Sequence, residues 1–182
     1  KDEACHRALR WLMGMQGKDG GWASFDVDNN KAVMNKIPFA DHNAMLDPST
    51  SDITARILEM LSFYGYTQES KPVRRAIEFL RREQEPDGSW YGRWGVNYIY
   101  GTWQALRGLS RIGLRNDDPA VRDGANWLRS VQHEDGGWGE TCITYDYPHL
   151  KGRGPSTASQ TAWALMGLIT AGEGDTPAVR KG

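Results

Sequence analysis

Long apolar runs, clustered cysteines and an excess of either charge are all missing from this sequence of 182 residues. Its longest mostly apolar stretch, Thr161–Ala171, falls well short of the roughly 20 residues that a bilayer-spanning helix requires. No basic-then-apolar segment opens the chain as a secretory leader would. The two cysteines, Cys5 and Cys142, stand near opposite ends and provide neither a disulfide framework nor a metal knuckle. A reducing compartment fits that usage. The four histidines, His6, His42, His133 and His149, include no pair spaced by four, so the sequence predicts no zinc site and no other metal centre. Twenty-two basic against twenty-three acidic side chains leave a net charge of -1, and no field that would draw in a nucleic acid. No phosphate-binding loop is present, and no cofactor is expected.

Against these absences stand eight tryptophans and twenty-one glycines, an unusual share of both. Comparing the chain with itself gives the reason. Cys5-His6-Arg7-Ala8, Trp11-Leu12, Gln16 and Asp19-Gly20-Gly21-Trp22 superimpose without gaps on Val73-Arg74-Arg75-Ala76, Phe79-Leu80, Gln84 and Asp87-Gly88-Ser89-Trp90. A third copy runs Val121-Arg122-Asp123-Gly124, Trp127-Leu128, Gln132, Asp135-Gly136-Gly137-Trp138. A fourth begins at Val179 and stops at Gly182, which predicts that the sequence is a fragment.

Each copy has the spacing of a helix with one apolar face, carrying its aromatic-Leu pair. Pro72, Pro119 and Pro177 stand where a first helical turn begins, and the Asp-Gly stretch ends each of the three helices whose copies are complete. Gln and Trp are six apart, so the Gln amide can lie on the indole and bond free backbone groups at a neighbouring helix end. Gln16 with Trp22, Gln84 with Trp90, and Gln132 with Trp138 read as structural clamps. Second helices lie between the copies. One has apolar positions Ile53, Ile57, Met60, Leu61 and Tyr64, and the last has Ala162, Leu165, Met166 and Ile169. The middle one, about 97–112, carries Gly101, Ala105 and Gly108 along one stripe for close approach of a neighbour. Helix pairs that cannot bury their faces alone stack or close into an α/α barrel. The expected fold is all-α, a partial (α/α)6 barrel with outer and inner helices alternating, and residues 1–182 form part of one such domain.

The repeated unit resembles the QW motif of squalene-hopene and oxidosqualene cyclases. The likeness to the bacterial squalene-hopene branch is carried further by Asp47-Pro48, Asp52-Ile53-Thr54-Ala55, Gly92-Arg93-Trp94-Gly95-Val96-Asn97-Tyr98, Ser156-Thr157 and Ser159-Gln160-Thr161-Ala162-Trp163-Ala164-Leu165. That resemblance implies an enzyme that protonates squalene and cyclises it through carbocations to a pentacyclic triterpene, without a cofactor. It also implies a full-length parent that is monotopic on the cytoplasmic side of the bacterial membrane and often dimeric. The family's initiating acid is the middle Asp of a D-x-D-D motif, which this sequence lacks; the chain alone is therefore expected to be inactive. Asp26-Val27-Asp28-Asn29 is a lookalike without the last Asp, and it reads as a loop.

By the same resemblance, Trp94 lines the cavity and offers its π face to cations, and Phe25 takes the place of a cavity Tyr. Phe39, in Ile37-Pro38-Phe39-Ala40-Asp41, is the ring at the substrate entrance, with Ala40 where some relatives have Cys. Three residues support the absent acid: Asp52 holds ordered water, Arg56 pairs with the acid, and Tyr100 joins the water network. Each has a plainer reading. Asp52 at a helix start serves as an N-cap, Arg56 as a solvated surface cation, Tyr100 as a half-buried helix Tyr, and Trp94 as a core ring. Two other functions fit an array of helix pairs: an α/α-barrel prenyltransferase-like subunit, and a non-catalytic helical-repeat binding module.

Overall fold

The computed structural model describes residues 2–31 and 45–182. Its helices are α1 (Asp2–Gly14), α2 (Ser51–Phe63), α3 (Lys71–Glu83), α4 (Tyr98–Arg111), α5 (Pro119–Ser130), α6 (Ala158–Thr170) and α7 (Pro177–Lys181). Two short 3-10 turns, Cys142–Tyr145 and Pro148–Leu150, lie between α5 and α6. Among the described residues there is no strand, only an isolated antiparallel bridge between Asn29 and Asp47. The repeated segments form α1, α3, α5 and the start of α7, and α2, α4 and α6 form a second row packed side by side. Pro72, Pro119 and Pro177 occupy the first turns of their helices as expected.

The core lies between the two rows. Leu58 and Leu61 of α2, Val73, Phe79 and Leu80 of α3, Leu106 and Leu109 of α4, and Leu128 of α5 are all buried in it. Gly108 brings α4 against α2, because a Cβ there would meet the Ala55 carbonyl oxygen at 2.5 Å. Gly101, on the same stripe, instead admits the backbone of the turn at Trp90.

Two expected faces differ. In α6 the buried residues are Gln160, Ala164, Gly167 and Leu168, while Ala162 and Ile169 are exposed and Leu165 and Met166 half-buried. Small residues win the contact because α6 seats closely: a Cβ on Gly167 would touch a Leu128 methyl at 2.9 Å. In α1, Trp11 is 60% exposed although its counterparts Phe79 and Trp127 are buried. The Gly21 turn of the first repeat packs on the Phe79 ring, whereas Trp11 stays largely uncovered by the described residues.

The clamps are closed by hydrogen bonds. Gln16, Gln84 and Gln132 donate from Nε2 to the carbonyls of Gly20, Gly88 and Gly136 within their own turns. Each also reaches the first turn of the following repeat, at Pro72, Ala120 and Ala178, over 2.9, 3.0 and 2.9 Å. The distant partners thus lie at the N-terminal end of the neighbouring helix, as carbonyls of its first turn. Trp22, Trp90 and Trp138 donate from Nε1 to Leu12, Leu80 and Leu128, each at 2.7 Å, and so cap the C-terminal end of their own helix. Their backbone N-H groups donate to the hydroxyls of Thr54, Thr102 and Thr161 on the second row. Every repeat is thereby tied to itself, to the next repeat and to the inner helix. Gly20, Gly88 and Gly136 have positive φ and abut the carbonyls of Arg75, Asp123 and Lys181, where a Cβ would collide.

Candidate functional site

Asp52, Arg56, Trp94 and Tyr100 come together at the N-terminal ends of α2 and α4, with the 92–97 loop between them. Asp52 is fully buried at the second position of α2, behind the N-cap Thr50. It is therefore not an N-cap, which corrects the plainest reading of it. Its Oδ1 accepts from the Ile53 N-H at 3.0 Å and its Oδ2 from the Trp94 N-H at 2.9 Å, so the carboxylate pins the loop onto the helix. Trp94 is consequently held by its backbone while its ring stands 47% exposed, outside the hydrophobic core. Phe25, 74% exposed, meets that ring edge-on at 6.1 Å, and the Arg93 guanidinium lies 5.6 Å from its centre.

Tyr100 is buried under the same loop, with Gly92 and Gly95 flattened against its ring, where a Cβ would come within 2.6 and 2.7 Å. Its hydroxyl accepts from Arg56 Nη2 at 3.0 Å. Burial pushes the phenol up from its ordinary range and the nearby Asp52 charge adds to this, while Arg56 opposes both. Tyr100 therefore acts as a neutral hydroxyl. Behind it, Trp163 approaches edge-on at 5.2 Å and stacks on Trp103 at 5.8 Å, with the planes 4° apart. Phe39 and Ala40 lie outside the described residues.

Asp26 and Asp28 sit in a loop, as expected. Asp28 has φ 57° and accepts the Lys18 N-H, and Asp26 accepts from the Asn29 amide. Among the described residues, no three His, Cys, Asp or Glu stand close enough to share a metal ion, and no helix is long and apolar enough to cross a membrane.

Several residues that hold the site were given no role from sequence. Asp47 accepts the N-H groups of Ser24, Phe25 and Asp26 at 3.2, 2.5 and 2.7 Å, fixing the turn that carries Phe25. Glu140, from beyond α5, accepts the N-H groups of Asn97, Tyr98 and Ile99 and so caps α4, whose own Asn97 side chain does not. Burial pushes the Glu140 carboxyl up against the pull of those bonds. Gln160 holds it in place through its backbone N-H and C=O. Tyr145 donates to the carbonyls of Arg93 and Gly95, and burial pushes its phenol up to about 12. Glu140→Ala is expected to destabilise the fold by about 2 kcal/mol, since buried N-H groups lose their acceptor; urea titration checks this, and a loss below about 0.5 kcal/mol would mean that water replaces the carboxylate.

Comparison with known proteins gives the family. The family described as squalene-hopene cyclase C-terminal domain matches residues 1–182, the whole chain. The chain belongs to the squalene-hopene cyclase family. It is 53% identical to the squalene-hopene cyclase of Bradyrhizobium diazoefficiens, over all of this chain and 28% of that protein. With the Alicyclobacillus acidocaldarius squalene-hopene cyclase the identity is 46% over 99% of the chain, and with a dammaradiene synthase of the fern Dryopteris crassirhizoma 48% over 95%. The chain thus spans about 28% of the length of these curated relatives. Among solved structures, ent-copalyl diphosphate synthase from Streptomyces platensis superimposes with a TM-score of 0.64 over 93% of the chain and 28% of that one, at 23% identity. That likeness concerns the fold, of α/α-barrel type, with the outer and inner helix rows described above.

Proposed function

We propose that this chain is the part of a squalene-hopene cyclase that shapes one wall of the reaction cavity and steadies the initiating acid, residues 1–182 belonging to one α/α-barrel domain. The observation that carries the reading is the convergence of Asp52, Arg56, Trp94 and Tyr100 from three separate segments. A binding module built only from clamps would not require it. Alkenes are very weak bases, so the reaction needs a carboxylic acid whose conjugate base is strongly stabilised. Arg56 supplies a permanent positive charge for that purpose, and Asp52 and Tyr100 fix the loop and the hydroxyl around it. The acid itself belongs to a D-x-D-D motif absent from this sequence.

Once the cation has formed, Trp94 stabilises it without trapping it, since an indole face attracts positive charge but forms no bond to it. Phe25 extends the aromatic wall beside Trp94. The substrate is squalene, and the full-length protein acts as a peripheral dimer on the cytoplasmic face of the membrane.

In a full-length cyclase carrying this segment, Trp94→Leu should lower turnover about 10–30-fold, the loss of roughly 2 kcal/mol of cation-π stabilisation. Incompletely cyclised products should accumulate, because Leu fills space without stabilising charge. Gas chromatography of the extract decides it: an unchanged product pattern with only a lower melting temperature would assign Trp94 to structure.

A further inference from the structure

Arg56 stands on the exposed side of α2, and its long side chain has many rotamers to lose before it can face a partner. Three contacts from α4 restrict it. Besides the Tyr100 hydroxyl at 3.0 Å and the Tyr100 ring at 5.8 Å, the Gln104 amide oxygen accepts from Nε at 3.0 Å and Nη2 at 2.9 Å. The amide orientation follows from chemistry: turned the other way, its NH2 would face guanidinium donors and a buried polar group would go unpaired. Gln104 is 3% exposed and one helical turn beyond Tyr100, so both project on one face of α4.

We propose that Gln104 is a positioning residue, which fixes the Nε/Nη2 edge of Arg56 so that the Nη1 edge is presented to the carboxylic acid it supports; this rests on the reading of Arg56 given above. Nη1 makes no hydrogen bond among the described residues. A neutral amide is the fitting partner, because it orients the guanidinium without cancelling its charge, as a carboxylate would. The other charged groups nearby are committed elsewhere. Asp52, one turn earlier, is taken by the N-H groups of Ile53 and Trp94, and Glu59 pairs with Arg107 of α4 at 2.6 Å. Tyr100 is a neutral phenol, and α6 presents Trp163 to it. Arg56 thus keeps its whole charge for a group outside this set.

The test compares Gln104→Met, Gln104→Glu, Arg56→Met and the Gln104→Met/Arg56→Met pair in a full-length cyclase carrying this segment, with squalene as substrate. Gln104→Met should lower kcat about tenfold with KM changed less than twofold. The alkaline limb of the kcat profile should move to higher pH, because a carboxyl facing a loosened cation is a weaker acid and stays protonated longer. In the Arg56→Met background the same substitution should change kcat less than twofold, since the two act as one unit. Gln104→Glu keeps the acceptor and the fold but neutralises the cation, so it too should slow the reaction; it carries the test if Gln104→Met fails to fold. An unmoved pH limb in Gln104→Met, full-strength loss in the Arg56→Met background, or normal kcat in Gln104→Glu overturns the proposal. If Arg56→Met is slow while the Gln104 variants are normal, only the Gln104 inference falls. If Arg56→Met itself is normal in rate and pH profile, the reading of Arg56 falls as well.

Discussion

Trp90→Ala is expected to cost about 3–5 kcal/mol of folding stability, the range for removing a buried large aromatic. The ring is completely buried where α3, α4 and α5 meet, and Gly124 is small because of it: a Cβ there would come within 2.7 Å of the indole. Truncation would open a cavity beside Gly124 and would strip the Leu80 carbonyl of its indole donor. Trp90→Phe separates the two effects. It fills most of the space but removes the hydrogen bond, and should cost about 1–2 kcal/mol. Urea titration followed by circular dichroism measures both. A loss below about 1 kcal/mol for Trp90→Ala would show that the repeats are not coupled through this ring.

The helical rows were readable because their signals are local and repeated. Proline at a helix start, glycine where φ must be positive, and an aromatic-Leu pair at fixed spacing recur at constant offsets, so gapless self-comparison finds them. Thr54, Thr102 and Thr161 make the same bond to three repeat tryptophans, yet they follow those tryptophans at unequal distances, because the loops between the rows differ in length. Their signal was a Thr near the start of each inner helix. In α6 the hydrophobic pattern pointed to the wrong face: Ala162 and Ile169 are as apolar as Ala164 and Leu168, and only the close approach at Gly167 selects between them.

The resemblance named candidate residues, while the long-range contacts among them were hidden in the sequence. Arg56 donates to the Tyr100 hydroxyl and the Trp94 N-H to Asp52, while Phe39 and Ala40 fall outside the described residues. Asp52 looked like a cap because it stands at a helix start, but its second oxygen is drawn off by the backbone of Trp94, forty-two residues away. Glu140 caps α4 from a comparable sequence distance, and no local pattern marks such a residue. Gln104 looks like any polar residue on a helix until the fold puts Arg56 opposite it.

The chain by itself is expected to yield no cyclised product from squalene, while a full-length cyclase carrying it does. Protonating an alkene demands an acid far stronger than an ordinary carboxyl, and the described buried carboxylates are not set up as one. Asp47 spends its oxygens on three backbone N-H groups, and Asp52 on two. Both are anchors for the turns they hold. Glu140 has the opposite defect, since burial raises its pKa and so makes it a weaker acid. Asp26 and Asp28 lie in a loop beside Lys18 and Asn29. Water is the second obstacle, because Phe25 and Trp94 stand exposed in this chain, and a cation formed against them would be captured before ring closure. Mass spectrometry of extracts from purified chain incubated with squalene is the measurement, with light scattering to record whether the exposed apolar faces drive self-association. Hopene in those extracts would mean that one of Asp26, Asp28 and Asp52 can act as the acid, and single substitution to Asn would identify it.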